Sequence, residues 1–140
     1  DVCSSDLLRA DLPEPHGNLG VMLASGGDAA RAEAEFREAV RLQPEYADAQ
    51  SNLAKLLAGK GDLQEARRHF GAAIRLRPQD ARLRYEYAVA LGSARLYDEA
   101  RVQLEGALAA DAGLVEAQEV LAKLLLAQGR AAEALPHPFY

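Results

Sequence analysis

The sequence predicts an all-α fold, a solenoid of antiparallel helical hairpins, and three observations support this prediction. A block of sequence recurs every 34 residues. Apolar residues inside each block follow a helical period, and glycine, aspartate and proline mark the helix ends. A recurrence of this length is typical of a repeat array, in which a single hairpin cannot bury both of its faces and must stack on its neighbours.

The recurrence holds over four units without a gap. Residues 18–28 read NLGVMLASGGD, and residues 52–62 read NLAKLLAGKGD. When units of 34 are numbered from residue 13, position 8 is always small and position 11 is always leucine. The small residues are Gly20, Ala54, Ala88 and Ala122, and the leucines are Leu23, Leu57, Leu91 and Leu125.

Each unit contains signals for two helices, a first helix A and a second helix B. In the second unit, apolar residues recur at helical spacing on both sides of a short Gly-Asp sequence. Gly61 is expected to end helix A, Asp62 to cap helix B, and Pro78 to stop helix B. The same residue types stand one unit earlier, at Gly27, Asp28 and Pro44.

These columns resemble the tetratricopeptide repeat. Positions 8, 20 and 27 are small, positions 7, 11 and 24 are large, and proline stands at position 32 of the first two units; the pattern extends over residues 13–135. The resemblance implies a right-handed superhelix of about three and a half repeats, with helix A of each repeat lining a concave groove. Three features depart from the family: Arg95 replaces a glycine, position 11 is leucine instead of tyrosine, and position 4 lacks the frequent aromatic residue. Position 4 is His16, Gln50, Arg84 and Gln118.

Both ends of the sequence are expected to be truncated. Residues 7–12 resemble the end of a lost helix B, whereas residues 1–6 fit no part of the repeat and look non-native. At the other end, Pro138 breaks the register, so Leu121 and Leu125 are expected to be under-covered and the isolated chain marginally stable. The truncated ends favour a fragment of a longer protein, and arginine-rich, alanine-rich usage favours a bacterial source. The expected divisions are a doubtful tail at 1–12, repeats at 13–46, 47–80 and 81–114, and a partial repeat at 115–140.

Composition limits the classes of function. The chain has 140 residues, 49% hydrophobic and 26% charged, which suits a folded domain. A net charge of −5 argues against nucleic acid and anionic lipid as partners. No apolar run approaches the ~18–20 residues of a membrane span. The single Cys3 leaves the redox compartment open, with the cytoplasm as the favoured expectation.

The sequence contains no constellation typical of an active site or a metal site. His16, His69 and His137 fall in different units, and none stands at metal-ligand spacing from other ligands. Glu65 and His69 are four residues apart and are expected to form a solvated surface contact. The sequence GKGD at 59–62 lacks the residues and the strand of a phosphate loop. We therefore expect no catalytic residue, no metal and no cofactor.

The resemblance directs attention to helix A, where positions 2, 5, 6, 9, 12 and 13 would face the groove. Asn18 and Asn52 share one column, and an amide can pair with a peptide backbone without reading its sequence. This column resembles the asparagine ladder of O-linked N-acetylglucosamine transferases, although it stops at Glu86. The alternative is that both asparagines are merely solvated. The predicted groove residues are Asn18, Asn52, Lys55, Arg82, Tyr85, Glu86, Val89 and Lys123.

The other groove residues are candidates for selecting side chains. Tyr85 is either a binding hot spot or a packing residue with Arg82 over its ring. Lys55 and Lys123 either steer acidic groups or are solvated. The carboxylate clamp of chaperone-binding repeats is not expected, because two of its five places match and Glu86 would repel a carboxylate.

Three hypotheses of function follow. The leading one is a non-catalytic module that holds an extended peptide or a partner helix in the groove. The second is a substrate-presenting segment of a larger enzyme, such as a glycosyltransferase like the O-linked N-acetylglucosamine transferases. The third is an architectural spacer, and self-association through exposed solenoid ends is compatible with it.

Overall fold

The structure, a computed structural model, describes residues 13–129, and within that range it contains seven helices and no strand. The predicted features of residues 1–12 and 130–140 lie outside the described residues. The helices are α1 Pro13–Ser25, α2 Ala29–Leu42, α3 Ala47–Gly59, α4 Leu63–Leu76, α5 Ala81–Ser93, α6 Tyr97–Ala110 and α7 Val115–Ala127.

The chain divides into two compact units at Pro78. In the N-terminal unit, α1 pairs with α2 and α3 pairs with α4, while α3 packs on α2 and also touches α1. In the C-terminal unit, which begins at Gln79, α5 pairs with α6, and α7 packs against both. Each pairing joins consecutive helices through a short turn, so the hairpin is the building block in both units.

The turn between α3 and α4 shows how the Gly-Asp sequence works. Gly61 adopts a φ of 91°, and its N–H donates to the carbonyl of Ala58 at 3.0 Å. The next N–H, that of Asp62, donates to Leu57 at 2.9 Å, which completes a Schellman motif. Asp62 then caps α4, because its carboxylate accepts a hydrogen bond from the N–H of Glu65. The predicted glycine stop and aspartate cap are confirmed.

The turn between α5 and α6 has the same backbone geometry, but its residues do not favour a left-handed conformation or a helix cap. Arg95 adopts a φ of 64°, a left-handed conformation that suits glycine. The N–H of Leu96 still donates to Leu91 at 2.9 Å. Leu96 is the N-cap of α6 and makes no side-chain cap bond. The third repeat therefore retains the turn without the two residues that stabilise it.

Small residues let the paired helices approach each other closely. Phe36 and Phe70 are buried against helix A of their own hairpins, together with alanines that have almost no exposed surface. The buried alanines of helix B are Ala32, Ala39, Ala66, Ala73, Ala100 and Ala107. Leu125 is also buried, with 7% of its surface exposed, whereas Leu121 is half-buried. The expected under-coverage of Leu125 is therefore wrong.

The expected contact between Glu65 and His69 is present, but it belongs to a longer, partly buried polar chain. The His69 side chain is only 17% exposed, and its Nδ1 lies 2.7 Å from Gln50 Oε1. Gln50, buried on α3, donates to the carbonyl of Pro44 at 2.8 Å. Burial lowers the pKa of His69, against the opposing effect of Glu65 at 3.4 Å. The prediction that this pair is solvated is wrong, because Gln50, at position 4 of the second repeat, points into the hairpin and bonds His69 of helix B.

Ion pairs continue this polar chain across the N-terminal unit. Arg37 on α2 donates to Glu65 at 2.6 Å and 3.0 Å, and it also bonds Glu33 on its own helix. Lys60, just after α3, donates to the same Glu33 at 2.6 Å. The hydrogen bond from Arg37 lowers the pKa of Glu65 to about 2, and the one from Lys60 lowers the pKa of Glu33. These contacts hold α2 against the α3–α4 hairpin.

Candidate functional site

A pocket of about 280 Å³ lies on the surface of the N-terminal unit, between α1 and α3. We call it the α1–α3 pocket. Asn52 and Lys55, which the sequence predicts to be groove residues, line it, whereas Asn18 is exposed on α1 and is not one of its lining residues. The residues that line the pocket are Val21, Ala24, Ser25, Phe36, Asn52, Lys55 and Leu56.

Gly20 allows an aromatic ring to form the floor of the pocket. A Cβ atom at Gly20 would lie 2.6 Å from the ring of Phe36, closer than any real contact of this kind. The missing side chain therefore lets the Phe36 ring approach the α1 backbone. In α3, the same position is the fully buried Ala54. The first repeat thus has a glycine where the second has a side chain with a Cβ.

The walls of the pocket combine apolar and polar groups. Val21 on α1 keeps 47% of its surface exposed, and Leu56 on α3 is half-buried. Asn52 is half-buried and Lys55 is exposed, three residues further along α3. Residues three apart on a helix have neighbouring side chains. The pocket thus presents an apolar floor with an amide and a cation on one wall.

The C-terminal unit carries a second group of predicted residues. Arg82 donates to Glu116 at 2.8 Å, and its guanidinium carbon lies 5.5 Å from the centre of the Tyr85 ring. The predicted contact of Arg82 with the Tyr85 ring is confirmed. Arg82 therefore bonds α5 to α7, and its charge is shared with a carboxylate.

The electrostatics of this group favour the ionised form of Glu116. The pKa of Glu116 is lowered mainly by a hydrogen bond from its own backbone N–H, at the start of α7. The hydrogen bond from Arg82 is the second cause and lowers it further. Both members of the pair are about half-exposed, so the pair is expected to stabilise the unit only slightly. Its main consequence is that Arg82 already has a carboxylate partner.

Three further predicted groove residues lie on α5 and α7 of the C-terminal unit. Val89 is 40% exposed on α5, and Lys123 is exposed on α7. Glu86 is half-buried on α5. The structure thus brings together two pairs of the eight predicted residues, Asn52 with Lys55 and Arg82 with Tyr85.

Five lining residues and one partner were not among the eight predicted residues, although three of them, Val21, Ala24 and Ser25, stand at positions expected to face the groove. Leu56 follows Asn52 by four residues on α3, so helical spacing could have placed it on the same face. Glu116 stands 34 residues after Arg82, in the same column and with the opposite charge. Phe36 gave no such signal, because its column indicates a core residue and only the contact with Gly20 shows that it also forms a pocket floor.

Two classes of site find no support in the described residues. Between residues 13 and 129, no group of three or more histidine, cysteine, aspartate or glutamate side chains is placed to hold a metal ion. In the same range, no helix has the length and apolar character that crossing a membrane requires.

The repeated helical hairpins define the chain as a helical-repeat protein. Three profiles described as tetratricopeptide repeat match the sequence, over residues 18–81, 57–113 and 115–137. The chain belongs to the tetratricopeptide repeat family. The predicted fold class, an all-α helical-repeat solenoid of about three and a half repeats, is confirmed.

Solved structures of the same fold agree. A MamA crystal structure superposes with a TM-score of 0.84 at 21% identity, over 93% of this chain and 77% of that one. Pseudomonas aeruginosa pilF gives a TM-score of 0.78 at 22% identity, over 87% of this chain. The first tetratricopeptide repeat domain of Spaghetti (RPAP3), bound to the HSP90 peptide SRMEEVD, gives 0.78 at 16% identity, over 84% of this chain and 93% of that one. The chain spans 56% of the pilF chain. No curated protein matches the sequence.

Proposed function

We propose that the chain is a non-catalytic protein-interaction module that holds an extended peptide against its helix A residues. One observation carries the proposal: the α1–α3 pocket combines an apolar floor with the amide of Asn52 and the cation of Lys55. A peptide presents the same chemistry to a surface, with backbone hydrogen-bonding groups and alternating side chains.

Asn52 is the residue proposed to hold the peptide backbone. Its side chain offers two N–H donors and a carbonyl acceptor, which match a peptide's C=O and N–H. Because it is half-buried at the edge of an apolar pocket, its hydrogen bonds would be shielded from water in part. Asn18 stands in the same column of the first repeat and is proposed as a second, more exposed backbone contact.

The C-terminal unit is proposed to carry an apolar contact surface of its own. Tyr85 presents a ring that Arg82 holds in place, and Val89 lies exposed one turn further along α5. A rigid aromatic side chain gives contact area at a small entropic cost. Since Arg82 is already paired with Glu116, its contribution is proposed to be the orientation of Tyr85.

The family and one structural neighbour support a role in protein interaction. Tetratricopeptide repeat proteins are generally non-catalytic interaction modules, and the RPAP3 domain holds a peptide of HSP90. A pocket of this size buries only a small area of a bound peptide. Because the entropic cost of binding offsets most of the free energy gained from that burial, we expect affinities in the micromolar range.

Random dodecapeptides displayed on phage and selected on the full chain test this proposal. Selected peptides would be synthesised with a fluorescein label, and their Kd measured by fluorescence anisotropy. We expect micromolar binding that weakens about fivefold or more in Asn52→Ala, because one or two hydrogen bonds of about 1 kcal/mol each are lost. Gln64→Ala, a similar truncation of an exposed residue on α4, is the matched control and should change Kd less than twofold.

Two outcomes would contradict the proposal. One is that selection yields no peptide with measurable affinity for the wild-type chain. The other is that every selected peptide binds wild type and Asn52→Ala equally well, while circular dichroism shows the same helicity for both proteins.

A further inference from the structure

The α1–α3 pocket also indicates which peptides it accepts, and this inference rests on the proposed function. Its volume of about 280 Å³ lies just below the roughly 300–1,000 Å³ of sites that enclose a whole drug-sized ligand. The pocket opens to solvent between the exposed residues Val21 and Ala24 on one side and Lys55 on the other. It has room for a side chain of a bound peptide.

The apolar part of the pocket favours an aliphatic side chain. Phe36 forms the floor, and Val21 and Leu56 form opposite walls that leave apolar surface in contact with water. A leucine, isoleucine or methionine side chain would cover that surface. A charged or amide side chain inserted at the same place would lose hydration without a matching partner on the floor.

The charge of the pocket favours an acidic partner. Among the described residues that line it, Lys55 carries a charge and no side chain is acidic. A ligand carboxylate near Lys55 is attracted, and a ligand lysine or arginine is repelled. Lys55 is exposed and already interacts with another group of the protein. Both features weaken its attraction for a ligand carboxylate, so we expect an acidic residue to be preferred over a neutral one by about fivefold or less.

The positions of the lining residues on α3 indicate how far apart the aliphatic side chain and the carboxylate of the peptide should be. In an extended peptide, side chains two residues apart point to the same side and lie about 6.6–7 Å apart. Lys55 and Leu56 are consecutive residues of α3, so the cation and the apolar wall of the pocket lie within one helical turn, a separation that two such side chains can span. We propose that the pocket recognises an extended peptide in which one residue separates an aliphatic side chain from a carboxylate. The aliphatic group enters between Val21 and Leu56, the carboxylate meets Lys55, and Asn52 bonds the backbone between them.

Defined peptide pools test this specificity. Fluorescein-labelled dodecapeptide pools would carry a fixed core, Leu-x-Glu or Glu-x-Leu, with uncharged residues at the other positions. Matched pools would replace glutamate with lysine or leucine with serine. For at least one order of the core, we expect wild type to bind the Leu/Glu pool about fivefold more tightly than the Leu/Lys pool and about tenfold more tightly than the Ser/Glu pool. The preference for glutamate should shrink in 0.5 M salt, because exposed charges are screened.

Three variants of the full chain assign the preferences to the pocket. Lys55→Glu should reverse the order of the glutamate and lysine pools. Ala24→Leu should remove the preference for leucine over serine, because the new side chain fills the pocket from an exposed helical position. Arg31→Glu makes the same charge change on α2, where the arginine is 71% exposed outside the pocket, and should leave both preferences unchanged. Circular dichroism would confirm equal helicity.

The results separate this inference from the proposed function. If the pools bind wild type and lose affinity in Asn52→Ala, but glutamate and lysine pools bind equally or Lys55→Glu changes nothing, the specificity inference is wrong and the proposed function stands. If no pool binds wild type while phage-selected peptides do, the specificity inference is wrong and the proposed function stands; if neither the pools nor any selected peptide binds, both are overturned.

Discussion

Replacing Arg95 with glycine should stabilise the chain. Arg95 adopts a φ of 64° at the end of α5, whereas the corresponding positions hold Gly27, Gly61 and Gly129 at φ values of 89°, 91° and 77°. A residue with a Cβ in this left-handed conformation costs roughly 1–2 kcal/mol, because Cβ crowds the following carbonyl oxygen. The greater freedom of glycine in the unfolded chain offsets about 0.5–1 kcal/mol of the gain. The net expectation for Arg95→Gly is about 0.5–1 kcal/mol of added stability.

Two further variants isolate the backbone conformation from other effects. Arg95→Ala removes the charge and the long side chain but keeps Cβ, so it should leave the stability nearly unchanged. Gly61→Ala makes the opposite change at the matching turn, where nothing lies within 4 Å of an added Cβ, and should destabilise by a similar amount. Any loss in Gly61→Ala therefore comes from φ alone.

Urea unfolding followed by circular dichroism at 222 nm measures all four proteins. A change in midpoint at constant slope m reports a change in stability, whereas a change in m would indicate loss of two-state behaviour, which repeat arrays can show. The reasoning is refuted if Arg95→Gly unfolds at the same urea concentration as wild type or earlier, while Gly61→Ala loses stability as expected.

Three other predictions concern the N-terminal unit. Asp62→Ala should cost about 1 kcal/mol in urea unfolding, since it removes the cap of α4, and Asp62→Asn should recover most of the loss. Because burial lowers the pKa of His69, the unfolded chain binds its proton more readily, so stability should fall as pH drops below about 6.5. His69→Gln should remove that part of the pH dependence, and an unchanged slope would contradict the assignment. Arg37→Ala should raise the pKa of Glu65 from about 2 towards its ordinary value in a ¹³C NMR titration. In wild type, the stability from this carboxylate should be lost between about pH 4.5 and 2, and an unmoved pKa in the variant would show that Arg37 is not its cause.

Helix periods and helix ends could be predicted because they depend on local chemistry. The positive φ of Gly61 and the cap by Asp62 follow from residue types that favour those conformations wherever they occur. The repeat in register then implies the hairpin without any knowledge of distant contacts. For the same reason, Arg95 could be recognised from the sequence as a departure from the pattern.

Contacts between helices could be predicted only where the columns of the repeat specify them. His69 looked like a surface residue beside Glu65, but the packing of α3 on α4 places it against Gln50. Helical spacing within one chain segment cannot reveal which side chain of another helix lies opposite. Gln50 at position 4 therefore appeared as a loss of an aromatic, when it is a member of a hydrogen-bonded chain.

The sequence by itself determined the family, the helices and the face of helix A on which recognition is proposed. Only the tertiary structure decided that Asn52 and Lys55 border a pocket over Phe36, and that Arg82 is paired with Glu116. The physical reason is that periodicity fixes the direction of each side chain around its own helix. The depth of a pocket, in contrast, depends on how closely side chains of one helix approach the backbone of another, and here the Phe36 ring approaches α1 because Gly20 has no Cβ.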